Sequence, residues 1–406
     1  MKFYSPFNLA KLLTSTPNQS LLCQAKPINY LLRKMPEFNS SELGLRFDMN
    51  ACPNYCRHCY LGSPGSRRVS ESDLRMIVNH FRTFIASKDN WTPIRCIVVS
   101  SWVWEPDYAD NYRELYELEL ELSDGKPCRY ELLSIWRLAR DSQYAEWAKQ
   151  IGPDTCQMTF FGMEETNDWF YRRKGAFQDL LKSTERLLEV GMKPRWQVFL
   201  TKKLIPDLSA LLKLVDQLRL RERVEALGGE FVLFMHTPGP DGWARRIEHL
   251  RPRSEEVRNL PNEILESSRR HFGREKLWAT ERELLGQVLS QKGSVPYAYC
   301  VPERLWLIFK GNLDVYSNVA TLEEPWKLGN AVTDSPADIL RRFERNEPVG
   351  LKTIYSYSPR ELAERFGHPE GEKIYSTGDD LLALYVAKHC DEITRRSSGH
   401  AEAACC

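Results

Sequence analysis

The sequence predicts an α/β fold of six alternating strands and helices, followed by a smaller α+β extension. Three observations carry that expectation. Short β-branched or alternating apolar runs recur through residues 41–250, as strands require. Between them lie stretches with apolar residues at helical spacing. After Arg245 this rhythm ends and a hairpin signal appears, Leu305 to Phe309 and Asn312 to Tyr316 flanking Lys310-Gly311. Strand–helix alternation implies a parallel sheet with right-handed crossovers, open or curled into a partial barrel. Ligands of such sheets gather at the C-terminal strand ends.

Residues 1–40 are polar and mixed, with one short helix expected near Ile28 to Lys34, and form an N-terminal segment without an assigned function. Leu45, Phe47 and Met49 alternate with Arg46, Asp48 and Asn50 as a first strand, and a cysteine-rich loop follows. Ser70-Glu71-Ser72-Asp73 starts a helix of capping-box type, continued by Leu74, Ile77, Val78, Phe81, Phe84 and Ile85. Ile94 to Val99 is the second strand, bounded by Pro93, and Tyr108 to Leu122 the next helix. Tyr130 to Trp136 reads as the third strand, with a helix ending over Gln143 to Ile151. Gln157 to Phe161 and Arg195 to Leu200 are the fourth and fifth strands. Helices follow them over Phe177 to Val190, stopped by Gly191, and over Leu208 to Leu218. The sixth strand, Phe231 to Met235, closes at His236-Thr237-Pro238-Gly239-Pro240.

Residues 246–290 are charged and helical, and Asp338 to Glu344 ends the second unit. The chain therefore divides into an N-terminal segment (1–40), a main unit (41–250), an extension (251–345) and a C-terminal segment (346–406) frayed from about Arg395.

Composition narrows the setting. Among 406 residues the net charge is +1, which argues against partners chosen by bulk electrostatics, such as nucleic acid or an anionic membrane. Arg269-Arg270 and Arg341-Arg342 are interleaved with acids and read as solvated helix faces. Residues 1–20 hold no long apolar core of a signal peptide, and no stretch is apolar enough to span a bilayer. Eleven cysteines without a secretory signal point to a reducing compartment, the cytoplasm, and to metal or catalysis over disulfides.

The chemistry concentrates in Cys52-Pro53-Asn54-Tyr55-Cys56-Arg57-His58-Cys59-Tyr60-Leu61. Three thiolates at this spacing hold an iron–sulfur cluster with one iron left open, since four normally close a [4Fe-4S] site. Tyr60 is placed to lie against an aromatic ring of a ligand there. The rival is a zinc site with His58 as fourth ligand, although zinc pairs usually stand a dozen or more residues apart. Cys96, Cys128 and Cys156 fall in or beside strands and read as core. Gln197, between Trp196 and Val198, is a buried polar group in need of a partner.

The cysteine motif, directly after the first strand and followed by an aromatic residue, resembles the signature of radical S-adenosylmethionine (radical SAM) enzymes. The alternating units are similar to that family's partial (β/α)6 barrel. Phe161-Gly162 to Phe177, with Asp168 and Arg172-Arg173 between, is similar to members carrying a C-terminal SPASM or twitch extension, as are Lys202 to Leu211 and Pro240 to Ala244. The resemblance implies that Cys52, Cys56 and Cys59 bind a [4Fe-4S] cluster whose open iron holds S-adenosylmethionine (SAM). Reductive cleavage of SAM then yields a 5′-deoxyadenosyl radical that abstracts substrate hydrogen, with electrons from a flavodoxin- or ferredoxin-type donor. Val103-Trp104-Glu105-Pro106 stands where the family has Gly-Gly-Glu-Pro, so Glu105 matches and Trp104 replaces a glycine. Thr159, Arg172 or Arg173, and Gln197 are the remaining expected SAM contacts.

In the second unit Cys300, Val315-Tyr316-Ser317-Asn318 and Leu328-Gly329-Asn330 resemble a SPASM extension that has lost its second cysteine. One reading is a cap without an auxiliary cluster, over a small natural-product or amino-acid-like substrate. Two alternatives stand beside it: a peptide-modifying enzyme whose auxiliary cluster uses Cys300 and Cys390, and a non-catalytic scaffold with structural zinc. His236 at the sixth strand's end, and Tyr299 beside Cys300, are candidates to meet substrate. Trp102, Trp104, Trp136 and Trp196 are candidates to line its pocket.

Overall fold

Leu43, Leu45 and Phe47 are fully buried on one face of strand β1 (Glu42–Phe47), as period-two placement requires. The chain is described here by a computed structural model covering residues 40–125, 127, 131–290, 304–317 and 321–403, with side chains to 396. The further strands are β2 (Cys96–Ser100), β3 (Thr155–Phe160), β4 (Lys193–Phe199), β5 (Leu233–His236), β6 (Ala279–Thr280), β7 (Leu305–Phe309), β8 (Asp314–Ser317), β9 (Gly329–Asn330) and β10 (Ile374–Tyr375).

Helices fill the intervals. The first half holds α1 (Glu71–Ala86), α2 (Tyr112–Leu122), α3 (Ile135–Leu138), α4 (Tyr144–Ile151), α5 (Glu164–Tyr171) and α6 (Ala176–Glu189). After them come α7 (Leu208–Gln217), α8 (Leu220–Glu225), α9 (Asn262–Phe272) and α10 (Glu281–Ser290). The chain closes with α11 (Pro336–Glu344), α12 (Val349–Ser356), α13 (Pro359–Phe366) and α14 (Gly378–Ala403). The expected cap at Ser70 forms: its side chain accepts from Asp73 N, with Leu74, Ile77, Val78 and Phe81 buried below.

The α/β class is borne out, with two parallel arrays. Strands β3, β4 and β5 form one sheet, in register Thr159↔Gln197 and Phe199↔His236. The other runs β2-β1-β7-β8-β9, with β1 parallel to both β2 and β7. Each sheet has its own core. The first gathers β1, β2, α1 and α2 with the β7–β8 hairpin and α10 to α14. The second surrounds β3 to β5 with α4 to α9.

Four sequence expectations need correction. The third strand is absent over the described part of its span, and Ile135–Leu138 is helical. Ser134 caps that helix by accepting from Arg137 N, a local side-chain bond that outcompetes a ladder. The hairpin is no separate unit, because β7 lies beside β1 along its whole length. Cys96 opens β2 partly exposed rather than in the core. The backbone expected to fray from Arg395 stays helical to Ala403.

Glycine is required at position 44. A Cβ there would sit 2.2 Å from the Trp306 ring of neighbouring β7, so the close packing of β1 on β7 depends on its absence. The C-terminal segment clasps the second sheet: Thr237 and Ser376 exchange two backbone-to-hydroxyl bonds of 2.9 and 3.0 Å. Buried Arg251 donates to Pro238 O and Ile374 O beside them. Among the described residues no helix is long and apolar enough to cross a membrane.

Candidate functional site

The cysteine loop leaves the C-terminal end of β1 through Ala51, whose φ of 62° turns the chain sharply. It is held by the end of α5. Tyr55 N donates to Tyr171 O at 3.3 Å, Arg57 N to Phe170 O at 2.8 Å and Arg57 Nε to Trp169 O at 3.0 Å. A helix leaves its last carbonyls without intrahelical partners, and the loop supplies three donors to them. Inside the loop, Cys59 N bonds Cys56 O and Gly62 N bonds Cys59 O, both at 3.2 Å.

Cys52, Cys56 and Cys59 each keep some accessible surface while protein encloses them on most sides. Burial pushes the Cys59 thiol up to about 11. Burial, the Glu105 carboxylate and Cys59 hold Cys52 well above the usual thiol range, and burial with Cys52 and Cys59 does the same for Cys56. The three thiols are thus close enough to oppose one another's ionisation. A shared cationic centre removes that repulsion, so the donor set suits a thiolate-bound cluster. Among the described residues no three His, Cys, Asp or Glu side chains converge tightly enough for a single metal ion. His58 packs against the rings of Phe161 and Phe199, at 4.4 and 5.3 Å. Burial lowers it to about 3.

Glu105 reaches this loop from the chain beyond β2. Its amide donates to Ala51 O, and its carboxylate accepts from Ser134 Oγ at 3.0 Å. Burial pushes the carboxyl up to about 7 against those bonds and the Arg173 charge. Trp104 is accommodated by turning its indole onto the loop, where Nε1 donates to Gly62 O at 3.0 Å. Tyr60, half-buried, receives Trp243 N on its carbonyl, seating the Pro240–Ala244 turn against the loop.

The arginine pair separates. Arg173 Nε donates to the loop's Asn54 at 2.6 Å, and its guanidinium pairs with Asp179 at 2.7 Å. Arg172 occupies the left-handed cap of α5, with φ 53°, and is exposed. Asp168 caps α6 by accepting from Gly175 N and Phe177 N. Thr159 is half-buried on β3, and its carbonyl receives the Tyr171 hydroxyl at 2.9 Å.

Gln197 has partners at both ends. The Thr237 carbonyl can only accept, so the 2.7 Å contact makes His236 Nδ1 the protonated nitrogen. Nε2 then accepts from Gln197 Nε2 at 2.6 Å. Gln197 Oε1 accepts from Gln157 at 2.5 Å, and Gln157 Oε1 from Arg195 at 3.2 Å. Every donor in this chain points the same way, and Gln197 cross-links β3, β4 and β5. On β1, Arg46 lies between the rings of Trp102 and Trp306, at 4.8 and 4.6 Å.

Burial holds His236 down at about 4, against an ordinary 6.5. The unfolded chain therefore takes up a proton between these values while the native chain does not, and stability falls as pH drops from about 6.5 to about 4. A depression of this size is worth on the order of 3 kcal/mol at most. His236→Gln removes this component, so urea melts at several pH values should show a shallower acid loss in the variant than in the parent. Equal slopes would reject the neutral assignment.

The sequence missed Asn54, Arg57, Ser134 and Tyr171. Asn54 and Arg57 stood inside the motif, and Ser134 lay in the span read as the third strand. Tyr171 gave no signal. Tyr299, Cys300 and Cys128 lie outside the described residues. Cys390 is buried and reaches Thr353 Oγ1 at 3.8 Å.

No family model matches the chain, and no curated protein matches it. Solved structures do show similarity. The chain is similar to native anSMEcpe with bound AdoMet, with TM-score 0.44 and 11% identity over 87% of this chain and 99% of that one. It is similar to Streptococcus suis SuiB bound to precursor peptide SuiA, with TM-score 0.41 and 12% identity over 83% and 75%. Coproporphyrinogen III oxidase (HemN) from Escherichia coli, described as a radical SAM enzyme, gives 0.35 and 11% over 88% and 90%.

Proposed function

We propose that this chain is a radical SAM enzyme whose Cys52, Cys56 and Cys59 hold one [4Fe-4S] cluster. The observation that carries the reading is one loop bringing three partly accessible cysteines together, anchored on the last carbonyls of α5 and set where a parallel strand ends. When bound, the reduced cluster and SAM supply a 5′-deoxyadenosyl radical for hydrogen abstraction.

The protein's own part is to hold and enclose. The end of α5 fixes the loop through Tyr55 and Arg57, and Arg173 braces it through Asn54. Glu105, kept beside Cys52 by Ser134, is the acceptor for a ligand's ammonium group, with the backbone from Trp104 nearby. Arg173 faces the loop, whereas exposed Arg172 does not, so Arg173 is the residue for a ligand carboxylate. Thr159 and Tyr60 flank the ligand. Gln197 and His236 act as a fixed wall and exchange no proton. The substrate is a small natural-product intermediate or an amino-acid-like side chain, and the electron comes from a flavodoxin- or ferredoxin-type protein.

The test is anaerobic reconstitution with iron and sulfide, addition of SAM and dithionite, and chromatography for 5′-deoxyadenosine. Its formation is the expected result. Iron-loaded protein that leaves SAM intact would overturn the reading.

A further inference from the structure

The proposed chemistry consumes one electron per cleavage, and that electron must enter through the protein surface. Cys56 is flanked by the two residues that take its loop to the outside. Tyr55, before it, is 51% exposed, one of few large apolar side chains so placed. Arg57, after it, lays its guanidinium 4.1 Å from the centre of the Trp169 ring. Lys203, exposed on the turn after β4, sets its ammonium 4.6 Å from the same ring. Two cations therefore lie against one tryptophan whose carbonyl holds the cluster loop through Arg57.

The charges on this face are unpaired. Arg57, Lys203 and the adjacent exposed Arg172 form no ion pair with a carboxylate among the described residues. Most other arginines of the chain do, as Arg75, Arg223 and Arg342 illustrate. Neighbouring Lys202 is already held by Glu256. The net charge of the whole chain is +1, so two cations grouped on one ring make a local positive surface. Redox encounters use small interfaces steered by complementary charge.

We propose that the face made by Tyr55, Arg57, Trp169 and Lys203 docks a small acidic protein carrying a low-potential flavin or iron–sulfur centre. The carrier is oxidised by one electron and the cluster beneath Tyr55 and Arg57 is reduced by one, with no bond or proton exchanged. This rests on the cluster assignment above.

The probe is an acidic flavodoxin, kept reduced by its reductase, with dithionite as a source that needs no docking. Lys203→Glu should lower flavodoxin-driven cluster bleaching and 5′-deoxyadenosine formation about severalfold. The dithionite-driven rates should stay at the parent level, and the parent's flavodoxin rate should fall with added salt. A variant that keeps its flavodoxin rate, or loses both rates equally, overturns the docking assignment. Patch-dependent bleaching without any 5′-deoxyadenosine would instead sink the SAM reading and leave the docking face standing.

Discussion

Cys56→Ala abolishes 5′-deoxyadenosine formation while leaving a folded chain. The loop's anchors are mainly backbone bonds, from Tyr55 and Arg57 to the last carbonyls of α5, and none uses the Cys56 sulfur. Losing one half-enclosed sulfur costs on the order of 1 kcal/mol, too little to unfold a domain. The donor set, however, falls from three thiols to two, below what a cluster with one open iron requires. Circular dichroism melts should nearly superimpose for parent and variant, while iron content and product vanish. Retained product would move the cluster elsewhere in the chain; a collapsed melt would make Cys56 a core residue.

Phe309→Ala destabilises the main sheet and not merely an appendage. Phe309 is fully buried, stacked on Phe47 at 4.7 Å and edge-on to Phe81 at 6.2 Å. Those two rings belong to β1 and α1, far back in the sequence, so a truncation here opens a cavity inside the first core. Buried Phe-to-Ala changes cost about 3–5 kcal/mol. The urea midpoint of the transition that exposes β1 should fall accordingly, and proteolysis should cut near β1 and the hairpin together. A variant that loses only the hairpin, with the rest melting as before, would restore the independent extension that the sequence suggested.

That comparison shows where the sequence was readable. Five of the six main strands announced themselves through β-branched or alternating runs, and the Ser70 cap through its spacing, because both signals are local. The span from Tyr130 failed because Ser134 satisfies Arg137 N within three residues, and nothing in the apolar pattern records that competition. The union of β1 with β7 was invisible for the opposite reason. Each strand has an ordinary pattern, and only the glycine at position 44, beneath Trp306, hints at a close neighbour.

The candidate site divides in the same way. The cysteine spacing named its own chemistry, and Gln197 was recognisable as a polar group in need of a bond. Which bond it makes depends on β3 and β5 lying on either side, a long-range fact. Arg172 and Arg173 are indistinguishable as letters. A left-handed backbone at the first turns the second toward Asn54.

Among the described residues no strand ladder joins β2 to β3. The mixed five-stranded sheet and the parallel three-stranded one each end there, on their own apolar cores, and the cysteine loop touches both, with Leu61 leaning on one core and Cys56 on the other. The two cores are tied to each other by bonds outside any ladder, Glu105 to Ser134 and Thr237 to Ser376 among them. Because α5 fastens the loop through Tyr55 and Arg57 and Ser134 fastens the Glu105 carboxylate beside it, the three cysteines and Glu105 are held together as one group.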